Sequence, residues 1–247
     1  MCRHLAYLGP PVPLSRWLFD APHSLSRQAW APRDMRGGGT INADGFGVGW
    51  YPDPDGAALR YRAATPIWSD PALPGLAAAT TAGAALAAVR SATVGMPVTV
   101  PAAAPFAEGR WLFSHNGVIR GWPDTVTGVA ARLSMADLLT LDAPTDAALL
   151  WALVRDRLRD GVPAGYAVAQ TVAEVAAAAP GSRLNLLLTD GHSLVATAAG
   201  HALSVWHDGA STVVSSEPVD DRPGWQPVPE GHVLVATAEV CATEPLT

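Results

Sequence analysis

The 247-residue sequence predicts an α+β chain in which layers of β-sheet are covered by helices. Three observations predict it. Short runs rich in Val, Leu and aromatic residues, each bounded by Gly, Pro or Asp, dominate the first half. Two helical stretches stand side by side in the middle, and the last third returns to short strand-like runs. The order lacks the regular βαβ alternation that announces a doubly wound sheet.

Strands are expected over residues 4–8, 46–51, 59–62, 84–92 and 111–115. Residues 66–76, with Asp70 before Pro71, read as the entry to a short helix. The first long helix, 142–160, has Thr145 as candidate N-cap and Gly161 as its stop. Leu149, Leu150, Leu153, Val154 and Leu158 form its apolar face. The second, 163–179, starts on proline and ends before Pro180-Gly181. Strands follow over 183–189, 193–198, 202–206, 212–215 and 232–237, with Asp190-Gly191 and Asp208-Gly209 as hairpin turns. Nothing in composition splits the chain, so residues 1–247 read as a single domain.

Composition excludes whole classes. With 49% hydrophobic and 15% charged residues the chain is neither disordered nor a coiled coil. Two cysteines cannot make a disulfide scaffold or a Cys-rich zinc module. A net charge of −6 speaks against a duplex nucleic-acid binder. All 16 basic residues are Arg, so lysine is missing as a base or Schiff-base former. The apolar stretch 5–8 is stopped by Gly9, Pro10 and Pro11, too short for a signal peptide or a membrane span. A cytoplasmic location with reduced thiols and no membrane partner is therefore expected.

The glycines of Gly37-Gly38-Gly39 and of 45–49 do not follow a strand and open a helix, as a phosphate loop must. A tight turn and a bent strand with closely passing backbones are expected instead. Seven histidines, His4, His23, His115, His192, His201, His207 and His232, are scattered without metal-ligand spacing.

Cys2 is the first candidate for chemistry. An initiator Met is usually removed before a small residue, leaving Cys2 with a free α-amine beside its own thiol. With an ordinary pKa of about 7.7–8.0, that amine can accept the thiol proton. One residue then supplies both nucleophile and base. The plain alternative is a small apolar side chain opening a strand. Ser114-His115-Asn116-Gly117 at a strand end offers oxyanion donors: the Asn116 amide and the bare Gly117 backbone. An Asn-Gly hairpin turn explains the same pair. Arg90 leaves an alanine-rich run and needs an anion, either a substrate carboxylate or an internal Asp or Glu. Asp146 opens the first long helix, where an acidic residue complements the helix dipole.

Cys2, Arg90 in R-x-A-T-x-G, Asn116-Gly117 in H-N-G, and Asp146, in that order, resemble class II glutamine amidotransferase domains. These are N-terminal-nucleophile hydrolases. The resemblance implies a four-layer αββα sandwich of two antiparallel sheets and extends beyond Ser215-Ser216-Glu217-Pro218. It implies Cys2 as nucleophile, Asn116 and Gly117 as the oxyanion hole, and Arg90 and Asp146 on the α-carboxylate and α-amine of a glutamyl group. Thr93, Val94 and His115 of the same stretches join the implied substrate contacts. Ser91 and Val94 replace the Trp and His of many members, and Thr145-Asp146-Ala147-Ala148 replaces S-D-x-E.

A chain ending at 247 without a synthase domain is expected to hydrolyse γ-glutamyl amides. Residues 1–11, 30–33, 42–51, 66–70 and 113–117 are similar to one branch of the family, the amidohydrolases of actinobacterial ergothioneine biosynthesis. That similarity implies cleavage of γ-glutamyl-hercynylcysteine sulfoxide to glutamate and hercynylcysteine sulfoxide, with no metal or organic cofactor. The alternative is a general γ-glutamyl peptidase or glutaminase. The leaving part carries a trimethylammonium group, for which Trp30, Trp50 and Trp68, with Asp44 or Asp70, are the candidate contacts. The expected partner is this small molecule, with homo-oligomerisation left open.

Overall fold

The computed structural model describes residues 2–36 and 41–246; Met1 and the expected Gly37-Gly38-Gly39 turn lie outside them. Thirteen strands run as β1 (Arg3–Pro13), β2 (Phe46–Trp50), β3 (Leu59–Ala63), β4 (Thr81–Val89), β5 (Phe106–Glu108), β6 (Trp111–Val118), β7 (Arg183–Thr189), β8 (Leu194–Ala198), β9 (Ser204–His207), β10 (Thr212–Ser215), β11 (Gln226–Pro227), β12 (His232–Ala236) and β13 (Cys241–Pro245). The helices are α1 (Leu25–Gln28), α2 (Leu73–Ala79), α3 (Thr127–Ala130), α4 (Met135–Leu139), α5 (Asp146–Arg159) and α6 (Ala164–Ala178).

The strands form a seven-stranded sheet, β11-β9-β10-β1-β4-β2-β3, and a six-stranded sheet, β13-β12-β8-β7-β6-β5. Their pairings are antiparallel. Period-two alternation sorts each strand between two layers. In β1, Ala6 and Leu8 join Leu86, Leu112, Leu187 and Leu234 in the core between the sheets. Leu5 and Tyr7 point the other way, to Trp17 and Val219. The outer face of the six-stranded sheet packs Phe113, Leu186 and Leu188 on Leu150, Trp151 and Val172 of α5 and α6. The Phe113 and Trp151 rings stack with centroids 5.4 Å apart. On the far side, Leu25, Leu73 and Ala77 of α1 and α2 cover Phe46, Val48 and Val89. The result is the four-layer αββα sandwich.

Local chemistry explains several boundaries. Thr145 caps α5 by accepting the Ala148 N–H at 3.2 Å, and Gly161 ends it with φ +80°. Of the closely passing backbones expected over 45–49, Gly47 is an instance: a Cβ there would crowd the Ala104 carbonyl oxygen. One expectation changes: Asn116-Gly117 is not a hairpin turn but the continuation of β6 to Val118. The segment around Cys241 is the edge strand β13, paired to β12. Among the described residues, no helix is long and apolar enough to cross a membrane.

Candidate active site

One cleft gathers Cys2, Arg90, Thr93, His115, Gly117 and Asp146. Cys2 precedes the central strand β1, and Arg90 follows its neighbour β4, where the register pairs Arg3 with Val89. His115 and Gly117 come from the end of β6, and Asp146 opens α5. Residues far apart in sequence thus meet where strand ends and a helix start converge.

The Cys2 Sγ lies 3.8 Å from the Ser91 carbonyl oxygen. Burial pushes its thiol above the usual range, the Ser91 contact and the Arg90 guanidinium pulling the other way. A thiol held protonated at neutral pH needs a base at the moment of attack. Arg90 is nearly buried and spends one N–H on the Pro97 carbonyl at 2.8 Å. No carboxylate of the described residues pairs with it, so its fork keeps donors for an anion in the cleft. Asp44, whose backbone N–H donates to the Arg90 carbonyl, instead accepts the Ala92 N–H at 2.8 Å and pins the loop after Arg90. Asp146 accepts the Ile119 N–H at 3.0 Å and the Ala147 N–H at 2.8 Å. Helix-end complementarity and a cleft-lining position coincide in it.

Gly117 has a second reason to be glycine. A Cβ would lie 1.9 Å from the Arg183 carbonyl oxygen and 2.5 Å from His115 Nε2, and those two atoms are themselves hydrogen-bonded at 2.9 Å. Asn116 is fully buried and does not line the cleft: its Nδ2 donates to Ser216 Oγ at 3.2 Å, and its Oδ1 has no partner. Thr93 reaches the cleft, whereas Val94 is fully exposed and lines the neighbouring groove.

The three tryptophans expected at the substrate do not line the cleft. Trp50 is buried in the core beneath α1 and α2, the inward side of an apolar strand. Trp30 has its ring covered by the Arg27 guanidinium at 4.0 Å. Trp68, in a short 3-10 turn, is exposed outside the cleft. Asp70 is likewise committed, accepting from Ala72 and Leu73 at 2.9 Å each and from the Tyr61 hydroxyl at 2.9 Å. Among the described residues, no group of three or more His, Cys, Asp or Glu side chains is placed to hold a metal ion.

The support beneath the cleft escaped the sequence reading. Arg3 is fully buried, its guanidinium donating to the Asp34 carbonyl and lying 3.9 Å from Glu217 Oε2. Glu217 also accepts the Arg33 N–H at 2.9 Å and the Asp34 N–H at 2.8 Å. Ser216 Oγ accepts the His4 N–H at 3.0 Å besides the Asn116 amide. His4 Nδ1 meets Ser114 Oγ at 2.8 Å, and burial lowers its pKa to about 3. An arginine inside a buried strand demands a carboxylate, which was the available signal for Glu217.

Fold and cleft together define an amidotransferase-type, N-terminal-nucleophile architecture. The family model described as class-II glutamine amidotransferases matches residues 19–207, and the chain belongs to that family. The chain is 40% identical to the γ-glutamyl-hercynylcysteine sulfoxide hydrolase of Mycolicibacterium smegmatis, covering 98% of this chain and 99% of that one. It is 41% identical to the protein of the same name from Mycobacterium tuberculosis, covering 96% and 93% respectively. Among solved structures, a glutamine aminotransferase class-II domain protein from Silicibacter pomeroyi superposes with TM-score 0.69 at 26% identity over 99% of both chains. Glutamine phosphoribosylpyrophosphate amidotransferase from B. subtilis shares the fold at 15% identity, with TM-score 0.69, 99% of this chain covered and 49% of that one.

Proposed function

We propose that this chain hydrolyses the γ-glutamyl amide bond of γ-glutamyl-hercynylcysteine sulfoxide, releasing glutamate and hercynylcysteine sulfoxide. The observation that carries the reading is the meeting of Cys2, Arg90, Gly117 and Asp146 in one cleft. Near-full-length similarity to the mycobacterial hydrolases supports the substrate.

In this mechanism, removal of Met1 frees the Cys2 amine, which takes the thiol proton as sulfur attacks the γ-carbonyl. The developing oxyanion is stabilised by the Gly117 backbone, with the Asn116 amide turning from Ser216; one good donor contributes about 3–4 kcal/mol. The same amine returns the proton to the leaving nitrogen. Water then attacks the γ-glutamyl thioester, releasing glutamate and restoring the thiol. Arg90 holds the α-carboxylate and Asp146 the α-amine of the glutamyl group, with Thr93 and His115 completing the wall. No metal or organic cofactor takes part.

The test is glutamate release from γ-glutamyl-hercynylcysteine sulfoxide, glutathione and glutamine, with intact-mass detection of a γ-glutamyl adduct on the processed chain. Higher kcat/KM on the hercynyl substrate supports the reading. Equal rates on all three make the chain a general γ-glutamyl hydrolase. Turnover by a chain that retains Met1 overturns the nucleophile.

A further inference from the structure

The chain has nine tryptophans, and among the described residues none of them lines the cleft. The shape of the substrate accounts for this. In γ-glutamyl-hercynylcysteine sulfoxide the trimethylammonium sits at the end of the leaving group farthest from the scissile nitrogen. Its contact must therefore lie outside the cleft and yet be continuous with it. One groove meets that condition: it shares Thr93 and Met96 with the cleft and continues over Ile119, Arg120 and Trp122. Trp122 is the one tryptophan among the described residues that lines it.

The groove is fixed to the cleft by its backbone. The Ile119 N–H donates to Asp146 Oδ2 at 3.0 Å, so the carboxylate that lines the cleft also holds the chain leaving β6. The Arg120 N–H donates to Ser182 Oγ at 3.0 Å, and the Thr125 hydroxyl donates to the Arg120 carbonyl at 2.7 Å. Gly121, at φ +69°, turns the chain where a Cβ would lie 2.6 Å from Thr125 Cγ2. Trp122 is half-buried and packs on the core that contains Phe113 and Trp151, so its ring is anchored without being enclosed. Among the described residues no guanidinium covers it, whereas Arg16, Arg27 and Arg222 lie over Trp17, Trp30 and Trp206.

We propose that Trp122 receives the trimethylammonium group of the leaving hercynyl part on its open ring face. The inference rests on the hercynyl reading of the substrate and names the residue that would make that substrate preferred. A quaternary ammonium cannot donate hydrogen bonds, so an aromatic face suits it better than a polar wall. Arg120 is the one charged side chain in the groove's lining. It would oppose a bare cation, but a betaine carries a carboxylate on the same carbon as its ammonium, which offsets that charge. The acidic groove beside Trp225 is the competing place. It shares no lining residue with the cleft, and its Asp220 and Asp221 already pair with Arg222 and Arg33.

The test compares kcat/KM on γ-glutamyl-hercynylcysteine sulfoxide with kcat/KM on the same amide built on histidine, whose amine carries no methyl groups. The unaltered chain favours the trimethylated amide. In Trp122→Leu, which keeps an apolar side chain on the core, the ratio falls by about 3–30-fold, the span of one cation–π contact. Trp122→Phe recovers part of it, because an aromatic face remains. The ratio cancels any loss of folded protein, so a fall shared equally by both amides, or no preference in the unaltered chain, overturns the site. Glutathione separates the site from the proposed function. A chain that cleaves glutathione faster than the hercynyl amide, yet loses its trimethyl preference in Trp122→Leu, overturns the substrate and keeps the site. A chain that favours the hercynyl amide with the same ratio in both variants keeps the substrate and overturns the site.

Discussion

The two walls of the cleft are built by opposite means. The wall carrying Cys2 and Arg90 belongs to the seven-stranded sheet and is tied to its loops by buried polar groups, above all Arg3 and Glu217. The wall carrying His115, Gly117 and Asp146 stands on the apolar core of β6, β7, α5 and α6. A buried charge pair contributes little net stability, but breaking it strands the surviving charge. An apolar wall tolerates polar loss but resists changes of volume. The first wall is therefore the one sensitive to charge, and the second the one sensitive to shape.

Cys2→Ala is the substitution with the largest expected effect. Glutamate release from a γ-glutamyl amide falls on the order of 10⁴-fold or more while circular dichroism is unchanged. Cys241→Ala, on the edge strand β13, leaves the rate as it was, so a loss there would remove the distinction between the thiols.

Glu217→Gln probes the charged wall. It leaves Arg3 buried and uncompensated, and denaturant unfolding should show a loss of about 3–5 kcal/mol. A loss below about 1 kcal/mol would mean that Arg3 is satisfied by the Asp34 carbonyl alone.

Gly117→Ala probes the shape-sensitive wall. The added carbon meets the Arg183 carbonyl, and relieving that overlap costs about 1–3 kcal/mol as β6 and β7 separate. Thermal unfolding reads this directly, and a neutral result would show that the two strands can yield.

Acid gives the smallest effect per step and acts where the walls touch, through His4 on β1 and Ser114 on β6. The folded His4 has a pKa of about 3, against about 6.5 in an unfolded chain. Below pH 6.5 the unfolded chain binds the extra proton, so stability falls with acid by up to about 1.4 kcal/mol per pH unit until about pH 3. His201, lowered to about 4, adds in the same sense. His4→Asn should flatten the slope measured between pH 6 and pH 4.5; an unchanged slope assigns the acid sensitivity elsewhere.

Much of the fold was legible from local pattern. The expected 183–189 and 212–215 coincide with β7 and β10, and the Asp-Gly turns before β8 and β10 follow from backbone freedom that only a few residues provide. Cys2, Arg90, Gly117 and Asp146 were legible as types suited to one chemistry, and they do meet. The short α3, α4, β11 and β13 were not, since brief segments owe their form to the surfaces beneath them. Trp50 and Trp30 misled for a related reason: an aromatic ring serves core, cation or ligand equally well until its neighbours are known.

By itself, the sequence determined the strand and helix periods, the capping and turn residues, and a thiol one residue from the chain start. These depend on the nearest few residues along the chain. The tertiary structure decided that Asn116 leans on Ser216 and that Glu217 answers Arg3. Those facts depend on which strands become neighbours. Tertiary packing alone brings side chains 100 positions apart, such as Asn116 and Ser216, within hydrogen-bonding range.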